Sequence, residues 1–205
     1  MALATYSDLR AAIARVLQRS DLVAAIPDLI ALAESQMAQR LDSRLQDSVS
    51  TLSTASGVET VTLPTDILNV RSLTVTSTSP DICLDYVSPE RLRTDYGYGT
   101  SGAPLVYTIA GALAYLAPVP DQVYTLSIVY QARVPALSDS ATTNYVLTNY
   151  PDVYLYGALA NAGPYIEDNA RVTQWKQAFQ QAIEGVNAVD WHSGSTMTIR
   201  ADVNR

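Results

Sequence analysis

Gly97-Tyr98-Gly99-Thr100-Ser101-Gly102 spells G-x-G-x-x-G, a spacing that can cradle a pyrophosphate at the start of a helix. That chemistry needs a strand before the glycines and a helix after them. The flanking residues predict the reverse: a short helix opened by Ser88-Pro89 leads in, and Pro104 leads out into a strand. The string is therefore read as a surface loop. His192 is the single histidine, so neither a multi-imidazole metal site nor a Ser-His-Asp triad has its parts. Its place near a helix C-terminus suits the helix dipole. Glu167-Asp168 could bind a cation or divide acid and base roles, but negative charge at a helix start accounts for the pair. Cys83, the single cysteine, sits in Ile82-Cys83-Leu84 and is expected to be a small buried hydrophobe of a strand. No catalytic, cofactor-binding or metal residue is assigned, and no cofactor is expected. A hydrolase built on Asp or Glu is left without a site.

The chain of 205 residues is long enough for one core or a core with a satellite, and its 48% apolar content argues against disorder. A net charge of −7 excludes binding of nucleic acid by phosphate neutralisation. It is compatible with a wall past which DNA slides. A lone cysteine excludes an internal disulfide framework. Met1-Ala2-Leu3-Ala4 runs into polar Tyr6-Ser7-Asp8 without a secretory pattern, and no window reaches the length of a membrane span, which predicts assembly in a reducing cytoplasm.

The elements read as helices, then strands, then helices. Ser7 or Asp8 is expected to cap a helix through Leu17 with Leu9, Ile13, Val16 and Leu17 on one face. Pro27 lies in the first turn of a longer helix carrying Leu29, Ile30, Leu32, Ala33, Met37 and Leu41. From Gln46 a Ser/Thr-rich stretch precedes strands at 58–63, 67–75 and 82–87, then a helix capped by Ser88, then strands flanking Gly111. In the strand from Val123 to Tyr130, the set Tyr124, Leu126, Ile128 and Tyr130 should face the core. Pro151 opens a helix apolar on nearly every side, and Glu167 or Asp168 opens a last one with Val172, Trp175, Phe179, Ile183 and Val186 as its stripe. The expected fold is α+β: a helical bundle from the N- and C-terminal helices with an inserted antiparallel β-domain. The divisions are N-terminal helices (1–45), β-domain with one short helix (46–140), C-terminal helices (141–191) and an extended tail (192–205).

Thirteen tyrosines stand against one phenylalanine. Tyrosine suits surfaces wet before assembly and buried after it. Core filling accounts for about half of them; Tyr96, Tyr98, Tyr145 and Tyr150, read as loop or turn residues, are the interface candidates. After Ser193-Gly194-Ser195 the run Thr196, Met197, Thr198, Ile199, Arg200, Ala201, Asp202, Val203 alternates like a strand with nothing local to pair with, and it is expected to contact a neighbour or a partner.

An ordered succession of segments resembles the head-to-tail adaptor (connector) proteins of tailed bacteriophages. It begins with Tyr6-Ser7-Asp8-Leu9-Arg10 and Ile26-Pro27-Asp28-Leu29-Ile30-Ala31-Leu32-Ala33-Glu34, then Leu63-Pro64-Thr65-Asp66-Ile67-Leu68 and Leu84-Asp85-Tyr86-Val87-Ser88-Pro89-Glu90. It continues through Tyr107-Thr108-Ile109, Leu116-Ala117-Pro118, Tyr130-Gln131-Ala132-Arg133-Val134-Pro135 and Tyr150-Pro151-Asp152-Val153-Tyr154. The resemblance implies a structural virion protein of the neck: a homo-oligomeric ring of about twelve copies docked on the portal protein. It further implies a tail or nozzle protein on the other side, with genomic DNA passing through unbound, and neither a membrane nor an enzyme activity. The other readings are a stopper or terminator of the same neck, and a carbohydrate-binding module, although 58–134 holds no tryptophan platform.

Overall fold

The computed structural model describes residues 3–96, 100–166 and 168–192. In chain order its elements are α1 (Tyr6–Leu17), α2 (Ile26–Arg40), β1 (Asp47–Ser53), β2 (Thr60–Thr62), β3 (Ile67–Val75), β4 (Ile82–Cys83), β5 (Asp85–Tyr86) and α3 (Pro89–Tyr96). There follow β6 (Val106–Ala110), β7 (Leu113–Ala117), β8 (Thr125–Ala132), α4 (Tyr145–Asn149), α5 (Pro151–Asn161) and α6 (Asn169–His192). The fold is α+β, and the chain forms two compact units, Met1–Leu45 with Val134–Arg205, and Gln46–Arg133.

In the helical unit the cap of α1 is Thr5, not Ser7 or Asp8. The Thr5 hydroxyl accepts the Asp8 N–H at 3.2 Å while the Asp8 carboxylate accepts the Thr5 N–H, a reciprocal capping box. Leu9, Ile13 and Leu17 are buried, and Val16 half so. Along α2, Ile26, Leu29, Ile30, Ala33 and Met37 are buried, but Leu32 is 52% exposed. At about 100° per residue, Leu32 falls roughly 60° outside the arc those five share. Asn187 of α6 closes the other end of α2, donating to the Arg40 carbonyl and accepting the Asp42 N–H, both at 3.0 Å.

Helix α5 fills the centre, packed against α1, α2, α4 and α6. It buries Val153, Tyr154, Gly157, Ala158, Leu159 and Ala160, so an element apolar around its circumference has neighbours around its circumference. The α6 stripe is buried at all five expected positions, Val172, Trp175, Phe179, Ile183 and Val186.

A polar chain ties this unit together. Asn144 Nδ2 donates to Tyr154 Oη at 2.6 Å, and the Tyr154 hydroxyl donates to Glu34 Oε1 at 3.2 Å, which also accepts the Leu137 N–H at 2.8 Å. Desolvation raises the Glu34 pKa above its ordinary value; the bonds from Leu137 and Tyr154 oppose that rise. Folding therefore favours the protonated acid. Its stabilising contribution is complete below the unfolded-state pKa and is lost as pH rises through the higher folded one. Glu34→Gln keeps an acceptor without the charge, so at neutral pH it should match or exceed the native urea midpoint. That advantage should shrink as pH falls toward 4.5, the ordinary value for this group. Parallel pH profiles for the two proteins would refute the assignment.

The second unit is two four-stranded sheets, ordered β1-β8-β3-β4 and β2-β7-β6-β5. Val61, Leu116 and Tyr107 from one sheet share a core with Leu73, Val75, Leu126, Ile128 and Tyr130 from the other. The inward set on β8 is the one its alternation predicts: Tyr124, Leu126, Ile128 and Tyr130 are all under 7% exposed. The sheets are not wholly antiparallel, because β5 pairs with β6 in parallel. The single strand expected over 82–87 is two. The Leu84 N–H reaches the Leu73 carbonyl in the first sheet, and the Asp85 N–H reaches Leu105 in the second, so the chain changes sheets at Leu84. Leu84 is buried there, and Cys83, expected to be buried, is exposed on the edge strand β4.

Candidate assembly surface

No group of three or more His, Cys, Asp or Glu side chains that could hold a metal ion occurs among the described residues, and no described helix is long and apolar enough to cross a membrane. Around the glycine string, α3 ends at Tyr96, the Thr100 hydroxyl donates to the Tyr96 carbonyl, and the Gly102 N–H donates to Val119. The chain thus passes from a helix toward strand β6, the reverse of a dinucleotide site; residues 97–99 lie outside the described set. Asp168 caps α6, its Oδ1 accepting the Arg171 N–H at 3.1 Å, which accounts for that acid structurally; Glu167 lies outside the described residues. His192 is the last residue of α6. A cleft beside α3 and β7 is lined by Leu92, Arg93, Tyr115, Leu116, Ala117 and Val119 with Glu59.

What the β unit does present is a sheet face with little charge. Register places Val49 opposite Val129, Thr51 opposite Ser127 and Ser53 opposite Thr125, and β3 extends two of these rows with Ser72 and Thr74. These side chains point away from the Leu126–Ile128 core, because successive strand residues alternate faces. Charge enters only at one end, where Arg71 Nε meets Asp47 Oδ1 at 3.3 Å. Val49, 70% exposed, is the most exposed large hydrophobic residue in the described chain. Valine and threonine are the residue types a pleated strand surface favours.

The sequence reading missed this face, since it left the Ser/Thr-rich stretch before Gly57 without a strand. The two apolar residues of β1, Val49 and Leu52, fall on opposite faces, so no period-two alternation marked the strand. Of the tyrosine candidates, Tyr96 and Tyr145 fall at helix ends and Tyr150 in the turn between two helices. Tyr96 is the final residue of α3 and packs on a small satellite core with Leu92, Val87, Val106 and Ala117. Tyr145 is the first residue of α4, a helix not anticipated, and Tyr150 joins α4 to α5; both are half-buried against the helical core. Tyr98 and the segment Thr196 to Val203 lie outside the described residues. Tyr96 belongs to the unit Gln46–Arg133, and Tyr145 and Tyr150 to the helical unit.

Compared with known families, residues 4–200 match the family model described as SU10 adaptor protein. No curated protein matches the chain.

Proposed function

The chain belongs to the SU10 adaptor protein family, head-to-tail adaptors of phages, and from that premise we propose that it works as a self-assembled ring in the virion neck. The ring, of about twelve copies, seats on the portal protein, carries a tail or nozzle protein on its other side and surrounds the path of the genome. Family membership across residues 4–200 is the observation that carries this reading. A ring needs two different faces per copy, and the outer face of β1, β8 and β3 is the candidate for one of them. An acidic chain, net charge −7, suits a conduit that repels rather than grips a polyanion. Thr196 to Val203 is proposed as a portal or neighbour contact. Tyr96, Tyr98, Tyr145 and Tyr150 are proposed to contribute ring edges to interfaces formed on assembly.

The test is the mass of the full chain, alone and after mixing with a portal ring from the same genome. A ring-on-ring complex of defined stoichiometry is expected, and its mass gives the copy number. Association with a tail-side ring and none with the portal would overturn the adaptor position in favour of a stopper or terminator.

A further inference from the structure

We infer that the open edge of β1 is a receptor for the C-terminal segment Thr196 to Val203 of a neighbouring copy, which adds to the first sheet as a further strand. Each sheet has two edges. Three are very short: β4 and β5 span two residues each and β2 spans three. A short edge is one of the ordinary means by which a sheet avoids pairing with another chain. The fourth, β1, spans seven residues and pairs with β8 along all seven without a register shift. It carries no lysine, no proline and no bulge, and Asp47 at its first position is its sole charge. Nothing in it discourages strand addition, and among the described residues no strand pairs with its outer side.

The core-facing row of β1 is also unfinished. Ser48, Ser50 and Leu52 lie opposite Tyr130, Ile128 and Leu126, which are buried, yet all three are only half-buried. A strand beside them with apolar residues on that side would close the rim of the core. In Thr196 to Val203 the apolar residues Met197, Ile199, Ala201 and Val203 alternate strictly with Thr196, Thr198, Arg200 and Asp202. Eight residues of period two match a seven-residue edge in length and in pattern. The apolar row completes the core rim, and the polar row joins Val49, Thr51 and Ser53 on the outer face. The donor being another copy rests on the ring reading, in which every subunit offers one edge and one segment and the contact repeats head to tail.

Disulfide trapping in the full chain tests this. All variants carry Cys83→Ser, because Cys83 is exposed and would cross-link by itself. Thr51→Cys in one copy is mixed with Thr198→Cys or Arg200→Cys in a second copy of different tag mass, alone at high concentration and on the portal ring. A heterodimer band under mild oxidation is expected, with little for Ile199→Cys, whose side chain points to the other face. Dimers of Thr51→Cys by itself would mean that two β1 edges pair, and an intrachain bond in a Thr51→Cys, Thr198→Cys double variant would place the segment on its own sheet. Either result overturns the inference, as does the absence of any trap. Ring mass is read separately, so a portal-bound ring without the heterodimer removes this contact and leaves the adaptor reading standing.

Discussion

Gly157→Leu is expected to cost the helical unit about 3 kcal/mol or more, a large fraction of the roughly 5–15 kcal/mol that ordinarily holds a domain folded. A Cβ built at Gly157 meets Phe179 Cε2 at 2.9 Å and the Ala33 Cβ at 3.0 Å, so α5 touches both α6 and α2 through this one missing side chain. The smaller Gly157→Ala separates two opposing effects. Alanine gains about 1 kcal/mol of helix propensity over glycine, while overpacking costs typically about 1–3 kcal/mol, so a net loss of about 1 kcal/mol is expected. Phe179→Leu combined with Gly157→Ala should recover part of that loss by withdrawing the ring, but not the part due to Ala33 on the opposite side. Urea denaturation followed by far-UV circular dichroism measures all of these. A native midpoint for Gly157→Leu would mean that α5 is free to move out of its groove.

The same region shows where sequence patterning suffices. A stripe on α6 or an alternating face on β8 repeats over several residues, and repetition is what a period can reveal; Val172 to Val186 and Tyr124 to Tyr130 were legible on that ground. Gly157 was not. Its importance comes from where Phe179 and Ala33 lie in space, and nothing local in Tyr156-Gly157-Ala158 encodes that. The division at Leu84 was hidden for a similar reason. Two strands of two residues each are too short to show a period, and only pairing with Leu73 on one side and Leu105 on the other reveals that the chain changes sheets.

Of the proposed contact, one half only was legible. The alternation of Thr196 to Val203 announces itself in sequence. A receptor edge does not, because whether β1 lies at the edge or the centre of a sheet is decided by strand order, β1-β8-β3-β4, which sequence does not carry. Serine and threonine also serve turns and loops, so a Ser/Thr-rich strand is read first as a loop. The local structure around Tyr145 was hidden for a related reason: a stretch rich in Thr and Asn reads as a loop, but Asn144 caps α4 there, and Tyr145 and Tyr150 are half-buried against the helical core.

Asn144→Ala is the second large effect. The Asn144 side chain uses both of its ends: Oδ1 accepts the Leu147 N–H at 2.9 Å, and Nδ2 donates to the Pro135 carbonyl at 2.7 Å and to Tyr154 Oη at 2.6 Å. It is 9% exposed, so water does not readily replace those partners. Truncation removes a helix cap, worth about 1 kcal/mol, and leaves a buried carbonyl and hydroxyl short of a donor at about 1–3 kcal/mol in all. A loss of about 2–4 kcal/mol follows. Asn144→Asp separates the two halves of this account. The carboxylate keeps the cap acceptor for Leu147 but turns oxygen toward Pro135 and Tyr154 near the Glu34 carboxylate, so its folded-state pKa should be raised. A raised acid contributes stability that is complete below its unfolded pKa and is lost as pH rises through the folded one. Asn144→Asp should thus be weakest at neutral pH and recover on acidification, whereas Asn144→Ala should gain only what Glu34 itself gives. If Asn144→Ala unfolds within about 0.5 kcal/mol of the native chain, the range of an ordinary surface change, then the bonds joining Pro135, Leu147 and Tyr154 do not hold the helical unit together.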